Sequence, residues 1–77
     1  MKYIANPVEV EAFRITSVGE AEKGVALILE NGAIEIATPE MTARMQPSEG
    51  DYWVIQSDGY VYLNPKDVFE RKYHKAS

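Results

Sequence analysis

Acid–base catalysis needs two titratable groups held within reach of one another and tuned to different pKa values. Three aspartates of the 77-residue chain stand at marked positions: Asp51 after Gly50, Asp58 before Gly59, and Asp67 two residues after Pro65. Each is accounted for by the backbone, as a strand start, a turn and the first turn of a helix, so none is left over for catalysis. His74 is the single histidine; it has no partner at metal-ligand spacing and reads as solvated. With no cysteine there is no thiol nucleophile, zinc knuckle or disulfide. Neither a Gly-rich phosphate loop nor a nucleophile elbow occurs in the sequence. The residues predict a non-enzyme with no metal and no cofactor.

Binding chemistry is better represented. Six of the eight aromatics fall between residues 52 and 73: Tyr52, Trp53, Tyr60, Tyr62, Phe69 and Tyr73. A two-residue Asp58-Gly59 turn sets Ile55 opposite Tyr62 and Val54 opposite Leu63. One face then carries Tyr52, Val54, Val61 and Leu63, and the other Trp53, Ile55, Tyr60 and Tyr62. A chain this short buries only about 60% of its unfolded surface, too thin a core to cover both faces. Tyr and Trp are enriched at binding hot spots, which makes Trp53, Ile55, Tyr60 and Tyr62 the candidate binding residues for a protein partner. Trp53, Tyr60 and Tyr62 would also serve as a stacking platform for a nucleotide-like ligand. The competing reading packs this face beneath the N-terminal strand, with the hydroxyls reaching water.

Charge narrows the partner. Twelve acids against eight bases give a net charge of −4, with seven of the acids in residues 1–40 and five of each sign in residues 41–77. Nucleic acid is disfavoured, because backbone binding relies on clustered Lys and Arg, and the aromatic segment 52–63 has no cation. The longest apolar run, residues 25–29, is far short of the ~20 residues that span a membrane. Residues 1–7 lack the apolar core of a signal peptide. A single domain over residues 1–77 is expected, with a radius of gyration of about 11–12 Å if folded.

The elements that must position these residues are short. Val8 and Val10 alternate with Glu9 and Glu11, but Phe13 and Ile15 fall on the opposite parity, so a β-bulge is expected near Glu11-Ala12. Residues 16–23 read as a loop. Asn31-Gly32 between apolar runs predicts a two-residue type I′ hairpin that pairs Leu29 with Ile34 and Leu27 with Ile36. Its core face would carry Val25, Leu27, Leu29, Ile34 and Ile36. Thr38-Pro39-Glu40 is helix-start chemistry, Met41 and Met45 share one face of that helix, and Pro47 ends it. Residues 52–55 and 60–63 form a second hairpin, after which Asn64-Pro65 repeats the cap-then-proline pattern before Val68 and Phe69. Residues 70–75 fit either a continuing helix or a final strand. The result is mainly β, α+β at the margin: a single small curled antiparallel sheet or SH3-like barrel with two hairpins and one or two short helical turns. A free edge along residues 8–15 would allow a homodimer, although Glu9 and Glu11 blunt it.

Both ends of the chain carry a recognisable pattern. Lys2-Tyr3 with Pro7-Val8-Glu9-Val10-Glu11-Ala12-Phe13, and Gly50-Asp51-Tyr52-Trp53-Val54 with Gly59, Asn64-Pro65-Lys66-Asp67-Val68-Phe69-Glu70 and Tyr73, resemble a diffuse group of small uncharacterised proteins of tailed bacteriophages and prophages. The match covers about half of the chain; the middle agrees only in general character, and Ala5-Asn6 replaces the Lys that usually precedes the first Pro. The resemblance implies a phage or prophage gene product working in a bacterial host cytoplasm. Small proteins of this kind commonly bind and modulate a host or phage protein. The alternatives are a minor virion or assembly component, or a small-ligand binder.

Overall fold

The computed structural model describes residues 2–5 and 8–75, with side chains for residues 9–73. The chain runs β1 (Lys2–Ala5), β2 (Val8–Glu20), β3 (Val25–Leu29), β4 (Ile34–Ala37), α1 (Pro39–Arg44), β5 (Tyr52–Gln56), β6 (Val61–Asn64), α2 (Lys66–Lys72) and β7 (His74–Lys75). All seven strands belong to one antiparallel sheet, with β2 as its spine. On one edge, β2 takes β1 along residues 8–11 and then β3 from Ile15 onward; on the other it takes β5 along residues 10–14. Hydrogen bonds at the crossover show the two edges. The Arg14 carbonyl accepts from Glu30 N–H at 2.8 Å, while the Ile15 N–H donates to the Asp51 carbonyl at 2.7 Å. The sheet is curled and open: among the described residues β4 pairs with β3 alone and β6 with β5 alone.

The parity change along β2 has a different cause from the one expected. Pairing with β1 and β5 is regular through Glu11 and Ala12, so no bulge lies there. Val10 and Ala12 pack on one face and Phe13 and Ile15 on the other, because both faces of the spine are covered. The irregularity falls at Thr16, between Ile15 and Ser17, where the strand bends and the Thr16 hydroxyl donates to the Ile28 carbonyl at 3.0 Å. Residues 16–20, expected in a loop, continue β2. Within the chain, β1 pairs with residues 8–11 on one edge of this segment and β5 with residues 10–14 on the other.

Each face has its own core. On the first, α2 lays Phe69 over Val10, Ala12, Tyr52 and Val54, with Tyr73 beside it. On the second, the β3–β4 hairpin and α1 bring Leu27, Leu29, Ala37 and Met41 over Ile15 and Trp53. The radius of gyration of 11.9 Å matches the expected range.

Both hairpins turn through three residues, not two. Gly32 N–H donates to the Leu29 carbonyl and Leu29 N–H to the Ala33 carbonyl, both at 2.9 Å; Gly59 and Gln56 repeat the pattern with Gln56 and Tyr60. Gly32 and Gly59 have φ of 87° and 90°, the left-handed closing residue of a type I turn with a G1 bulge. Asn31 Oδ1 accepts from Ala33 N–H, and Asp58 Oδ1 from Tyr60 N–H, both at 3.0 Å. The added residue moves each second strand by one. Ile34 lies opposite Ile28 instead of Leu29, and Val61 opposite Ile55 in place of Tyr62. A one-residue slip turns every side chain over.

The helix starts differ from one another. Thr38 caps α1 as expected, its hydroxyl accepting from Met41 N–H at 3.3 Å. At α2 the capping position is Pro65, and Asn64 plays no capping part. Residues 70–72 continue α2, and His74 and Lys75 pair with β1 as a strand.

Candidate functional site

The register divides the four aromatic-hairpin candidates between two faces. Trp53 is 7% exposed and belongs with Ile55 to the second cluster, under the β3–β4 hairpin. Tyr62 packs against the first cluster, where its hydroxyl lies 3.1 Å from that of Tyr73. Burial, helped by this hydrogen bond, raises the Tyr62 phenol above the ordinary tyrosine range, so it stays neutral. Tyr60 alone is well exposed, at 49%; its ring stacks on Tyr62 at 6.0 Å and its hydroxyl accepts from Arg44 Nη1 at 3.0 Å. Trp53, Tyr60 and Tyr62 therefore share no platform. The groove between α1 and β6, lined by Met41, Arg44, Met45, Tyr60 and Leu63, encloses about 50 Å³. Small-molecule sites are typically ~300–1,000 Å³.

Asp51 is buried and fully used by the fold. Its Oδ2 accepts from Ser48 N–H at 3.0 Å and from Ser48 Oγ at 2.9 Å, while its Oδ1 accepts from Lys66 N–H at 3.0 Å. A carboxylate fifteen residues away in sequence thus serves the first turn of α2, where Pro65 supplies no side-chain cap. Tyr52, Phe69 and Tyr73 form a continuous stack, with ring centroids 4.1 and 4.7 Å apart, and Tyr52 donates to Glu70 Oε2 at 2.9 Å. The motif residues near the C-terminus, from Asp51 to Tyr73, hold α2 onto the sheet. Among the described residues, no three His, Asp or Glu side chains are grouped to hold a metal. The His74 side chain lies outside the described residues.

Ile34 and Ile36, which the sequence reading placed on the core face, stand outside with Ile28, which it had placed on the opposite face. Ile28, Ile34 and Ile36 are 43%, 69% and 46% exposed. Ile28 and Ile34 are directly opposed, and Ala26 opposes Ile36, so they share the outer face of the β3–β4 hairpin. The inner parity falls to Ala33, just before β4, and to Glu35 and Ala37 within it; the two alanines pack into the second cluster, while Glu35, opposite Leu27, stays exposed. Asn-Gly is compatible with both turn lengths, and the continuous apolar run of β3 satisfies either register. The sequence signal was therefore ambiguous at this position.

No protein-family model, curated protein or solved structure matches the chain. Among the described residues, no helix is long and apolar enough to cross a membrane.

Proposed function

We propose that this chain is a non-enzymatic protein-binding module, a small phage or prophage accessory protein that modulates a host or phage protein in the bacterial cytoplasm. It grips that partner through the outer face of the β3–β4 hairpin. One observation carries the reading: three isoleucines stand exposed on a single strand pair, in a fold that has buried large apolar groups on both faces of its sheet. Contiguous exposed aliphatic side chains of this kind mark interaction surfaces. The resemblance of the two chain ends to small tailed-phage proteins supplies the setting.

Affinity capture from phage-infected bacterial lysate tests it, with three baits: wild type, Ile28→Thr/Ile34→Thr/Ile36→Thr, and Tyr60→Ala. Threonine keeps the β preference at exposed positions, so the triple variant should fold. The expected result is one protein at near-equal stoichiometry, lost with the triple variant and kept with Tyr60→Ala. Loss with Tyr60→Ala alone would move the site to the α1–β6 groove. Recovery of capsid or tail proteins only would make the chain a virion component, and an empty capture would remove the binding-module reading.

A further inference from the structure

We infer that the partner is bound as an added β-strand on the open edge of β4, and that the bound segment alternates apolar residues with Lys or Arg. The inference rests on the binding-module reading above and specifies its partner.

The backbone provides the first half of the argument. Leu29 and Ala33 form a hydrogen-bonded pair, and antiparallel pairs alternate, so Glu35 and Ala37 direct their N–H and C=O groups at β3. Ile34 and Ile36 direct theirs away from β3, and among the described residues no strand pairs there. At the other hairpin, α1 and β6 line a common groove, and Arg44 donates to the Tyr60 hydroxyl. β4 has no proline, lysine or bulge; its guards are its four-residue length and the charge of Glu35, which an added strand must answer. Its backbone acceptors and donors at Ile34 and Ile36 coincide with its two most exposed aliphatic side chains.

Charge provides the second half. From Thr16 to the end of α1 the exposed acids Glu20, Glu22, Glu30, Glu35 and Glu40 outnumber the bases Lys23 and Arg44, so this lobe holds −3 of the net charge of −4. Residues directly opposite across a strand pair share a face. An added strand therefore meets Glu35 with one residue and Ile34 and Ile36 with the residues on either side. A cation flanked by apolar side chains is the complementary pattern. A second copy of this chain is the wrong occupant: pairing Ile34 with Ile36 about a two-fold axis sets Glu35 against its own copy, and joins two lobes of the same sign.

Amide hydrogen exchange by NMR tests this on the intact chain, using the peptide Lys-Val-Lys-Val-Lys-Val-Lys as probe. The Ile34 and Ile36 amides should exchange freely in the protein alone and become protected as the peptide saturates. A Glu-Val peptide of equal length should not bind, and binding of the Lys-Val peptide should weaken at about 1 M salt, where the screening length is ~3 Å. Methylating alternate backbone nitrogens of the peptide should lower its affinity at least about tenfold, as should Ile36→Pro, while Ile36→Thr, which keeps the backbone donor, should weaken it less than Ile36→Pro. Protection in the protein alone that grows with its concentration would identify a second copy as the occupant and overturn the proposal. So would equal affinity for the Glu-Val peptide, insensitivity to both methylation and Ile36→Pro, or no binding at all. If these peptide tests fail while lysate capture still depends on the three isoleucines, strand addition is wrong and the binding-module reading stands.

Discussion

Asp51 joins three parts of the chain through one carboxylate: the loop at Ser48, the start of β5 and the start of α2. Replacing it by Ala leaves the Ser48 and Lys66 N–H groups without their acceptor in a partly buried site. Losing a charged acceptor from such donors costs about 3 kcal/mol. Asp51→Ala should therefore lower Tm by roughly 10–20 °C in a domain of this size. Asp67→Ala is the control. Asp67 is exposed in the first turn of α2, where a helix-dipole contribution of ~0.3–1 kcal/mol is all that is at stake. Equal effects of the two substitutions in thermal unfolding would show that Asp51 is no cap. The sequence reading recognised Asp51 as having a backbone role but placed it only at a strand start. Its service to α2 depends on a contact across fifteen residues, which no local pattern encodes.

Among the elements, α2 depends most on its docking. A seven-residue helix has little stability by itself, so α2 is held by Phe69 stacked between Tyr52 and Tyr73 and by the Asp51 carboxylate. Phe69→Ala should cost about 3–5 kcal/mol, measured by urea denaturation, and with it the near-ultraviolet dichroism of the tyrosine stack. A loss below ~1 kcal/mol would mean that α2 does not pack as described. Thr38-Pro39-Glu40 was legible as a helix start because that signal is local. The hairpins were legible as hairpins and misread by one residue in each. In both, an Asx side chain bonds the N–H two residues on, and glycine closes the turn at positive φ. That single residue separates a core holding Ile34 and Ile36 from a surface exposing them. It also splits Trp53 from Tyr62, so the aromatic site inferred from sequence does not form.

At the scale of the whole molecule, two cores share one sheet. β2 gives Val10 and Ala12 to the first cluster and Phe13 and Ile15 to the second; β5 gives Tyr52 and Val54 to one and Trp53 and Ile55 to the other. Neither core can dissolve without exposing the back of the strands that support its neighbour, so the chain should unfold in one transition. The aromatic residues allow the test. Trp53, the single tryptophan, reports the second cluster by fluorescence, while the near-ultraviolet tyrosine signal reports the stack in the first. In urea the two signals should change with one midpoint. Leu27→Ala, made at a fully buried position of the second cluster alone, should shift both midpoints equally, with a cost of about 2–5 kcal/mol. Were the Trp53 signal to move ahead of the tyrosines in that variant, the β3–β4 lobe would be a separately unfolding unit. The exposed isoleucines would then sit on the less stable half of the molecule, and the continuous spine of β2 would not be enough to couple its two faces.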